Sequence, residues 1–251
     1  MIILSILFFI TAILYSSVGF GGGSTYLALL LIWDIPYYIF PVIALLCNII
    51  VVSGNSFNYI RAGNHNFKLL LPFLIGSVPL AFFGGTLKID KDIFEILLFF
   101  VLCIAGILLL INNKSYENNN LIIKKLNFFL SLFIGSVLGL VSGIVGIGGG
   151  IFLSPILFLL KSEKPKIIVT TASLFILINS ISGILGQLTK ENILTELSNY
   201  IPLFICVFIG GLLGNYLNLK IFSSRVLAII TSLLVIFVSI RMGIRIFINY
   251  I

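Results

Sequence analysis

Long apolar stretches alternate with short polar connectors along the chain, and this pattern predicts eight hydrophobic segments. The segments cover residues 2–32, 39–60, 67–87, 93–111, 126–160, 166–188, 199–219 and 223–248. Within each segment the apolar runs are continuous, which favours membrane-spanning helices over a membrane β-barrel, whose strands would alternate apolar and polar residues. The polar stretch 112–125 separates two sets of four segments. We therefore expect residues 1–111 and 126–251 to form two homologous halves joined by a linker.

A glycine cluster occurs once in each half. Residues 18–32 read VGFGGGSTYLALLLI and residues 145–159 read VGIGGGIFLSPILFL. The segments that carry the clusters are unusually long, since one membrane crossing needs only about 20 residues. Because glycine is unfavourable inside a helix, we expect each first segment to be broken there and to continue as a short helix, 24–32 or 151–160. Four membrane crossings in each half would give parallel repeats, and five would give inverted repeats. Because the short helix could be either re-entrant or a crossing, both kinds of repeat stay open.

The composition indicates that the solvent of this protein is lipid. Of its 251 residues 60% are hydrophobic and only 9% are charged, and the mean hydropathy is +1.24. The expected fold is an all-α integral membrane protein that crosses the plasma (inner) membrane of a prokaryote several times, with the lipid bilayer as its partner. A homodimer stays open. The net charge of +7 does not indicate a nucleic-acid partner, because the basic residues lie at segment ends rather than in one stripe.

The distribution of basic residues along the sequence does not indicate which side of the membrane faces the cytoplasm. If the eight segments cross in turn, one side carries seven Lys or Arg residues and the other carries eight, as counted along the sequence. The positive-inside rule needs an asymmetry between the two sides. The sequence therefore predicts no orientation.

The glycine clusters are the first candidates for a substrate site. A helix that restarts after them presents unpaired backbone N–H groups and the positive end of its dipole, which together bind anions. Paired glycine-interrupted segments in two halves are typical of transporter sites near the bilayer midplane. The alternative is that the glycines only allow close helix packing. The candidate residues are Gly21, Gly22, Gly23, Ser24, Thr25, Gly148, Gly149, Gly150 and Ile151.

Polar side chains within apolar segments are the second group of candidates. Polar groups that face lipid would lack hydrogen bonds, so these side chains are expected to contact either the substrate or neighbouring helices. The substrate-binding candidates are Asn55, Asn58, Asn179, Ser182 and Gln187. Arg61 and Lys190 occupy matching helix ends, where they either anchor the helices at the interface or form an anion-attracting vestibule.

The distribution of acidic residues favours an anionic substrate. All eight carboxylates lie at or near segment ends, whereas proton-coupled carriers and cation carriers usually place one within the membrane. No catalytic motif is present, so we expect neither an enzyme nor a cofactor. The three cysteines are isolated in apolar sequence and the single histidine, His65, lies in a loop, which argues against a metal site.

At these residues the chain resembles the TauE/SafE family of membrane permeases, also called sulfite exporters. VGFGGGSTYLALLLI, VGIGGGIFLSPILFL, the size and the polar mid-chain linker carry the resemblance. In the first cluster Leu27-Ala28 replaces the Ser154-Pro155 of the second. The resemblance implies transport of a sulfur-containing anion such as sulfite, sulfoacetate or another sulfonate. A permease that works by alternating access is the main hypothesis, and a channel-like anion facilitator or a non-transport membrane scaffold are the alternatives.

Overall fold

The computed structural model describes residues 1–111, 123–190 and 196–217, together with scattered positions between 232 and 247. Most of the predicted linker lies outside the described residues. So do most of the last predicted segment and all of its basic residues. The described elements are helical. They are α1 Ile2–Val18, α2 Gly23–Ile32, α3 Phe40–Arg61, α4 Phe67–Thr86, α5 Lys91–Ile111, α6 Phe128–Val145, α7 Gly150–Leu159, α8 Pro165–Gln187 and α9 Ile201–Leu217, with 3-10 turns at Tyr37–Ile39 and Ser198–Tyr200.

The helices have the length and composition of membrane spans. Within the described ranges, five helical stretches are long and apolar enough to cross a bilayer: Tyr37–Arg61, Phe67–Thr86, Phe128–Val145, Pro165–Gln187 and Ser198–Leu217. Three further apolar helices, α1, α2 and α7, are shorter. Many large apolar side chains, such as Phe57 and Phe133, are exposed on the outer surface of the bundle. The described part of the chain is therefore all-helical, and the chain is a multi-pass membrane protein.

The chain reverses direction at each glycine cluster. Gly22 lies beside Tyr15 of α1, and further along α2 the Tyr26 ring packs on Phe8, with 4.7 Å between ring centroids. The later part of α2 therefore meets the earlier part of α1, so the two helices run antiparallel. Likewise α7 returns toward the start of α6, where the Lys124 amide donates to the Lys161 carbonyl at 3.0 Å. Residues 2–32 and 126–160 thus form helical hairpins rather than single broken spans.

Helices α3 and α8 form the centre of the bundle and cross it in opposite directions. Ser56 is hydrogen-bonded to Ser173 at 3.1 Å near one end, and Leu45 lies beside Gly183 near the other. Around this pair, α1 packs parallel to α9 and α6 packs parallel to α4. Both contacts use glycines with neighbours too close for a side chain: a Cβ on Gly210 would lie 2.5 Å from the Phe9 carbonyl oxygen, and one on Gly139 would overlap the Ser77 backbone. The GxxxG glycines of α6 and α9 therefore act in packing, as their spacing predicts.

The directions of the helices give the bundle two differently charged faces. The ends of α3 and α7 and the starts of α4, α6 and α8 share one face, where Asn66 donates to Glu163 at 2.9 Å. We call this the basic face. Among the described residues it carries Arg61, Lys68, Lys124, Lys125, Lys161, Lys164, Lys166 and one carboxylate, Glu163.

The opposite face, which we call the acidic face, carries Lys88, Lys91, Lys190, Asp34, Asp90, Asp92, Glu95 and Glu196 among the described residues. There the Tyr38 hydroxyl donates to Glu196 at 2.5 Å. The balanced charge count derived from sequence is therefore wrong for the described residues. The reason is the return of α7, which moves Lys161, Lys164 and Lys166 to the face that holds Arg61 and moves Lys190 to the opposite face.

Candidate functional site

Left-handed glycines form both breaks. Helix α1 ends at Gly19 with φ 85°, and α2 begins after Gly22 with φ 84°. Helix α6 ends at Gly146 with φ 90°, and α7 begins after Gly149 with φ 75°. Glycine is favoured at such positions because a side chain in this conformation clashes with the following carbonyl. Gly19 and Gly22 match Gly146 and Gly149 in conformation at a spacing of 127 residues, whereas Gly148 has φ 81° and its counterpart Gly21 does not have a positive φ.

The starts of α2 and α7 meet near the middle of the central helix pair. A Cβ at Gly23 would lie 2.7 Å from the Ile147 carbonyl oxygen, so the two breaks touch each other. Gly21 and Gly148 both lie against Asn48 of α3 and Ile176 of α8. Because α2 and α7 leave this point toward opposite faces, both present the positive ends of their dipoles to it. The first N–H groups of each helix have no partner within that helix.

A small cavity lies between the two breaks. It is lined by Tyr15, Phe20, Gly21, Gly22, Gly23, Ser24, Ile147, Ile151 and Ile176, and its accessible volume is about 10 Å³. That is the room for about one water molecule. The conformation described here is therefore closed around the meeting point of the helices, and a larger ligand requires the breaks to move apart.

Several buried polar atoms at the breaks have no hydrogen-bond partner among the described residues. They include the Ser24 hydroxyl, which lines the cavity, the Ser180 hydroxyl beside Gly148, and the amide oxygen of Asn48. The Asn48 amide nitrogen donates to the Ile147 carbonyl at 3.1 Å. Buried polar atoms normally have partners, and unpartnered ones need an explanation such as a bound ligand or water. Around them, Tyr15 and Thr25 share a hydrogen bond of 2.6 Å between their hydroxyls.

The cavity favours negative charge through backbone groups rather than charged side chains. Among the residues that the structure describes, no carboxylate, lysine, arginine or histidine lines it. Within the described ranges, no group of three or more His, Cys, Asp or Glu residues could hold a metal ion. What the site offers is N–H groups, hydroxyls, one amide oxygen and two helix dipoles. This set is suited to a small anion.

The structure places most of the predicted polar side chains away from the breaks. Asn58 is exposed and donates to Asn215 at 3.1 Å, while Ser182 and Gln187 donate to the carbonyls of Val78 and Gly143. These are contacts between helices, and a role of Asn58, Ser182 and Gln187 in substrate binding stays a prediction.

The two remaining predicted asparagines are both fully buried. Asn55 lies 3.4 Å from the Ser16 hydroxyl of α1. Asn179 donates to the Phe175 carbonyl of its own helix, and its amide oxygen has no partner among the described residues. The ring of Phe175, one helical turn before Asn179, contacts Gly149 at the second break.

Sequence reasoning did not select Asn48, Ser180 or Tyr15 for the site. Asn48 is the more informative omission, because it contacts glycines of both breaks. Asn48, Asn55 and Asn58 lie on one helix, and their spacing does not show which of them reaches the breaks. The available signal was position within the hydrophobic segment, since Asn48 lies nearer its middle than Asn58 does.

Arg61 and Lys190 lie at opposite faces of the bundle. Arg61 is exposed at the end of α3 on the basic face, whereas Lys190 follows α8 on the acidic face and donates to Gln187 at 2.8 Å. Partial burial, and then the charge of Lys88, lowers the pKa of Lys190 from 10.5 to about 8. A role for either cation in an anion-attracting vestibule stays a prediction.

A second cavity, of about 220 Å³, lies at the acidic face. Asp34, Tyr37, Lys91 and Glu95 are among its lining residues, and Glu95 is buried 3.9 Å from Lys91. Its two carboxylates make it unsuitable for an anion, and it lies at a membrane face rather than at the breaks. It is not the site predicted from the glycine clusters.

Comparison with known proteins gives a consistent family match. The sequence model of the family described as "Sulfite exporter TauE/SafE" matches residues 4–242. The chain is 26% identical to "Probable membrane transporter protein y4hK" of Sinorhizobium fredii, over 92% of this chain and 93% of that protein. It is 22% identical to "Probable membrane transporter protein YunE" of Bacillus subtilis, over 93% and 94% respectively. It is 29% identical to "Probable membrane transporter protein MJ0441" of Methanocaldococcus jannaschii, over 75% and 73%. No solved structure matches the chain.

Proposed function

The chain belongs to the TauE/SafE family of membrane transporters, and from this premise we propose that it transports a small anion bound between the two glycine breaks. The observation that carries the proposal is the meeting of two helix N-termini beside the Ser24 hydroxyl, which has no partner in the described part of the chain. Two positive dipole ends and free N–H groups stabilise negative charge without a cationic side chain. The backbone of Gly21–Ser24 and Gly148–Ile151 binds the anion in this account.

The proposed substrate is a sulfur-containing oxyanion, such as sulfite, sulfoacetate or another sulfonate. The family description supports this class, because it refers to sulfite export. A sulfur oxyanion presents several oxygens around one centre, which suits donors that approach from two helix ends. The site itself selects for charge and hydrogen bonding, so the identity of the anion rests on the family.

The proposed mechanism is alternating access by two inverted halves. Matching helices run in opposite directions. Helices α3 and α8 are antiparallel in direct contact, α1 and α9 run with α3, and α4 and α6 run with α8, so α1 opposes α6 and α4 opposes α9. With its α-helical hairpin counted as two passes, the first half has five passes, α1–α5, rather than four, and an odd number inverts the second half. The small cavity supports an occluded arrangement that opens when the halves rock against each other.

The proposed orientation puts the basic face in the cytoplasm of a prokaryotic cell. Seven Lys or Arg residues lie on that face and three on the other among the described residues, which is the asymmetry that the positive-inside rule uses. Single cysteines at Lys164 and Lys88 test it in intact cells. A membrane-impermeant thiol reagent is expected to label the cysteine at position 88 alone, and labelling of position 164 alone would reverse the orientation. Cys47, Cys103 and Cys206 are replaced by alanine in the background protein.

Transport by purified protein in proteoliposomes tests the function itself. Saturable uptake of a labelled sulfur anion, accelerated by the same anion trapped inside, is the expected result for a carrier. Flux without saturation or counterflow would indicate a channel, and no flux with any sulfur anion would favour a scaffold. Gly22→Leu and Gly149→Leu should each abolish transport, because leucine is strained at φ 84° and 75°. Gly63→Leu is the matched control, since Gly63 also has a positive φ but no neighbour within 4 Å of an added Cβ.

A further inference from the structure

The amide oxygen of Asn48 has a fixed orientation at the centre of the protein. Asn48 is fully buried, and its amide nitrogen donates to the Ile147 carbonyl at 3.1 Å. A carbonyl oxygen can only accept, so it selects the nitrogen of the amide as its neighbour. The amide oxygen then points toward Gly21, where an added Cβ would overlap it.

This oxygen is an acceptor without a donor. It has no hydrogen-bond partner among the described residues, and Gly21 lines the cavity between the breaks. A buried acceptor without a partner costs about 1–3 kcal/mol. The nearby hydroxyls of Ser24 and Ser180 can donate or accept as a ligand requires, whereas the amide oxygen cannot donate. An anion whose oxygens were its only polar atoms would satisfy the N–H groups of the site and leave this oxygen unpaired.

We propose that Asn48 selects anions that carry a hydrogen-bond donor as well as a negative charge, such as hydroxyl-substituted or amino-substituted sulfonates and singly protonated oxyanions. The inference rests on the proposed function, because it assumes that the anion binds between the glycine breaks. The anion's charged group accepts from the N–H groups of α2 and α7, and its own O–H or N–H donates to the Asn48 oxygen. Specificity follows because a site built to pair with a hydroxyl rejects an analogue that lacks it.

Two matched sulfonates provide the test. 2-Hydroxyethanesulfonate and 1-propanesulfonate have the same charge and nearly the same size, and they differ by a hydroxyl in place of a methyl group. Thermal unfolding of the detergent-purified protein is followed against the concentration of each, which yields a dissociation constant because ligands that bind the folded state raise its stability. We expect the hydroxyl-bearing anion to bind about tenfold more tightly, the equivalent of one well-made hydrogen bond.

Variants identify the atom responsible. In Asn48→Leu, which keeps a similar volume but has no acceptor, the two sulfonates are expected to bind equally. In Ser24→Ala both should bind more weakly while the preference for the hydroxyl persists. If Asn48→Leu does not fold, Asn48→Ala provides the same comparison without the added apolar bulk.

The outcomes separate this inference from the proposal beneath it. Equal binding of the two sulfonates to the unmodified protein, or a preference that survives in both Asn48 variants, would overturn the role of Asn48 and leave the anion site intact. Binding of neither sulfonate, in a protein that no other sulfur anion stabilises, would overturn the anion site itself.

Discussion

Gly21→Ala is the substitution that separates the chemistry of the site from the strain of its backbone. Gly21 does not have a positive φ, so alanine fits its backbone conformation. The added methyl group would, however, overlap the amide oxygen of Asn48 and lie 3.2 Å from Ile176. Asn48 is fully buried, and the overlap requires its amide to rotate or shift away from Gly21.

The structure sets the expected size of the effect. Moving the amide breaks the 3.1 Å hydrogen bond from Asn48 to Ile147 and leaves a buried carbonyl without its donor. Such a loss costs about 1–3 kcal/mol. If the substitution destabilises the anion-binding conformation of the two breaks by this amount, the affinity for the anion decreases by about 5- to 150-fold.

The assay is the anion-dependent rise in unfolding temperature, with proteoliposome uptake as a second readout. Gly211→Ala is the control for a new methyl group, because its Cβ would meet Val51 only at an ordinary 3.6 Å and at a distance from the breaks. We expect Gly211→Ala to bind the anion as the unmodified protein does. Wild-type affinity and uptake in Gly21→Ala would refute the reasoning, since the overlap with Asn48 would then have no consequence for the site.

Three further predictions follow from individual contacts. Ser24→Ala should fold as stably as the unmodified protein, because its hydroxyl has no partner to lose, yet bind the anion about two- to tenfold more weakly in the same thermal assay. Gly139→Ala should lower the free energy of unfolding by about 1–3 kcal/mol in a denaturation series, because its methyl group would enter the Ser77 backbone of α4. The third prediction concerns Lys190, whose pKa of about 8 means that its charge is lost as pH rises through that value. Uptake of a sulfonate, which stays ionised throughout, should decline above about pH 8 in the unmodified protein and persist in Lys190→Arg. Identical dependence of uptake on pH in the two proteins would exclude a role for this charge.

Stability should respond to the same titration with a definite sign. Between pH 8 and 10.5 the folded protein has lost the Lys190 proton that the unfolded chain still holds. Stability therefore rises with pH across this window, because the unfolded state binds more protons there. In Lys190→Arg this rise should be absent. Since Lys190 is only half-buried, solvent screening keeps the effect small.

The glycine clusters made the essential parts of the fold predictable. Glycine at Gly19, Gly22, Gly146 and Gly149 has a direct physical consequence, because a left-handed residue ends one helix and begins the next. The predicted helix 24–32 differs from α2 Gly23–Ile32 by one residue at its start, and the predicted helix 151–160 differs from α7 Gly150–Leu159 by one residue at each end. Local conformation alone was enough for these predictions.

The direction of the chain after each break was not predictable in the same way. Reversal depends on contacts far apart in sequence, such as Tyr26 on Phe8, and on the return of α7 to the start of α6. Neither contact has a periodicity or a motif. The same limit explains why the sequence did not identify the side chain at the breaks. Asn48 and Asn58 are the same residue type, and only the packing of later helices beside α3 decides which of them reaches the breaks. The two-halved organisation with its linker at 112–125 stays a prediction.

The most direct test of the central claim is the thermal stability of the purified protein against sulfite, sulfate, thiosulfate, sulfoacetate, taurine, acetate and phosphate. The account predicts saturable stabilisation by at least one sulfur anion, reaching about 2.7 kcal/mol at one hundred times the dissociation constant. It also predicts that Gly149→Leu loses this stabilisation while Gly63→Leu keeps it. A response to no anion, or an equal response in Gly149→Leu, would contradict the claim that the two helix N-termini hold the substrate.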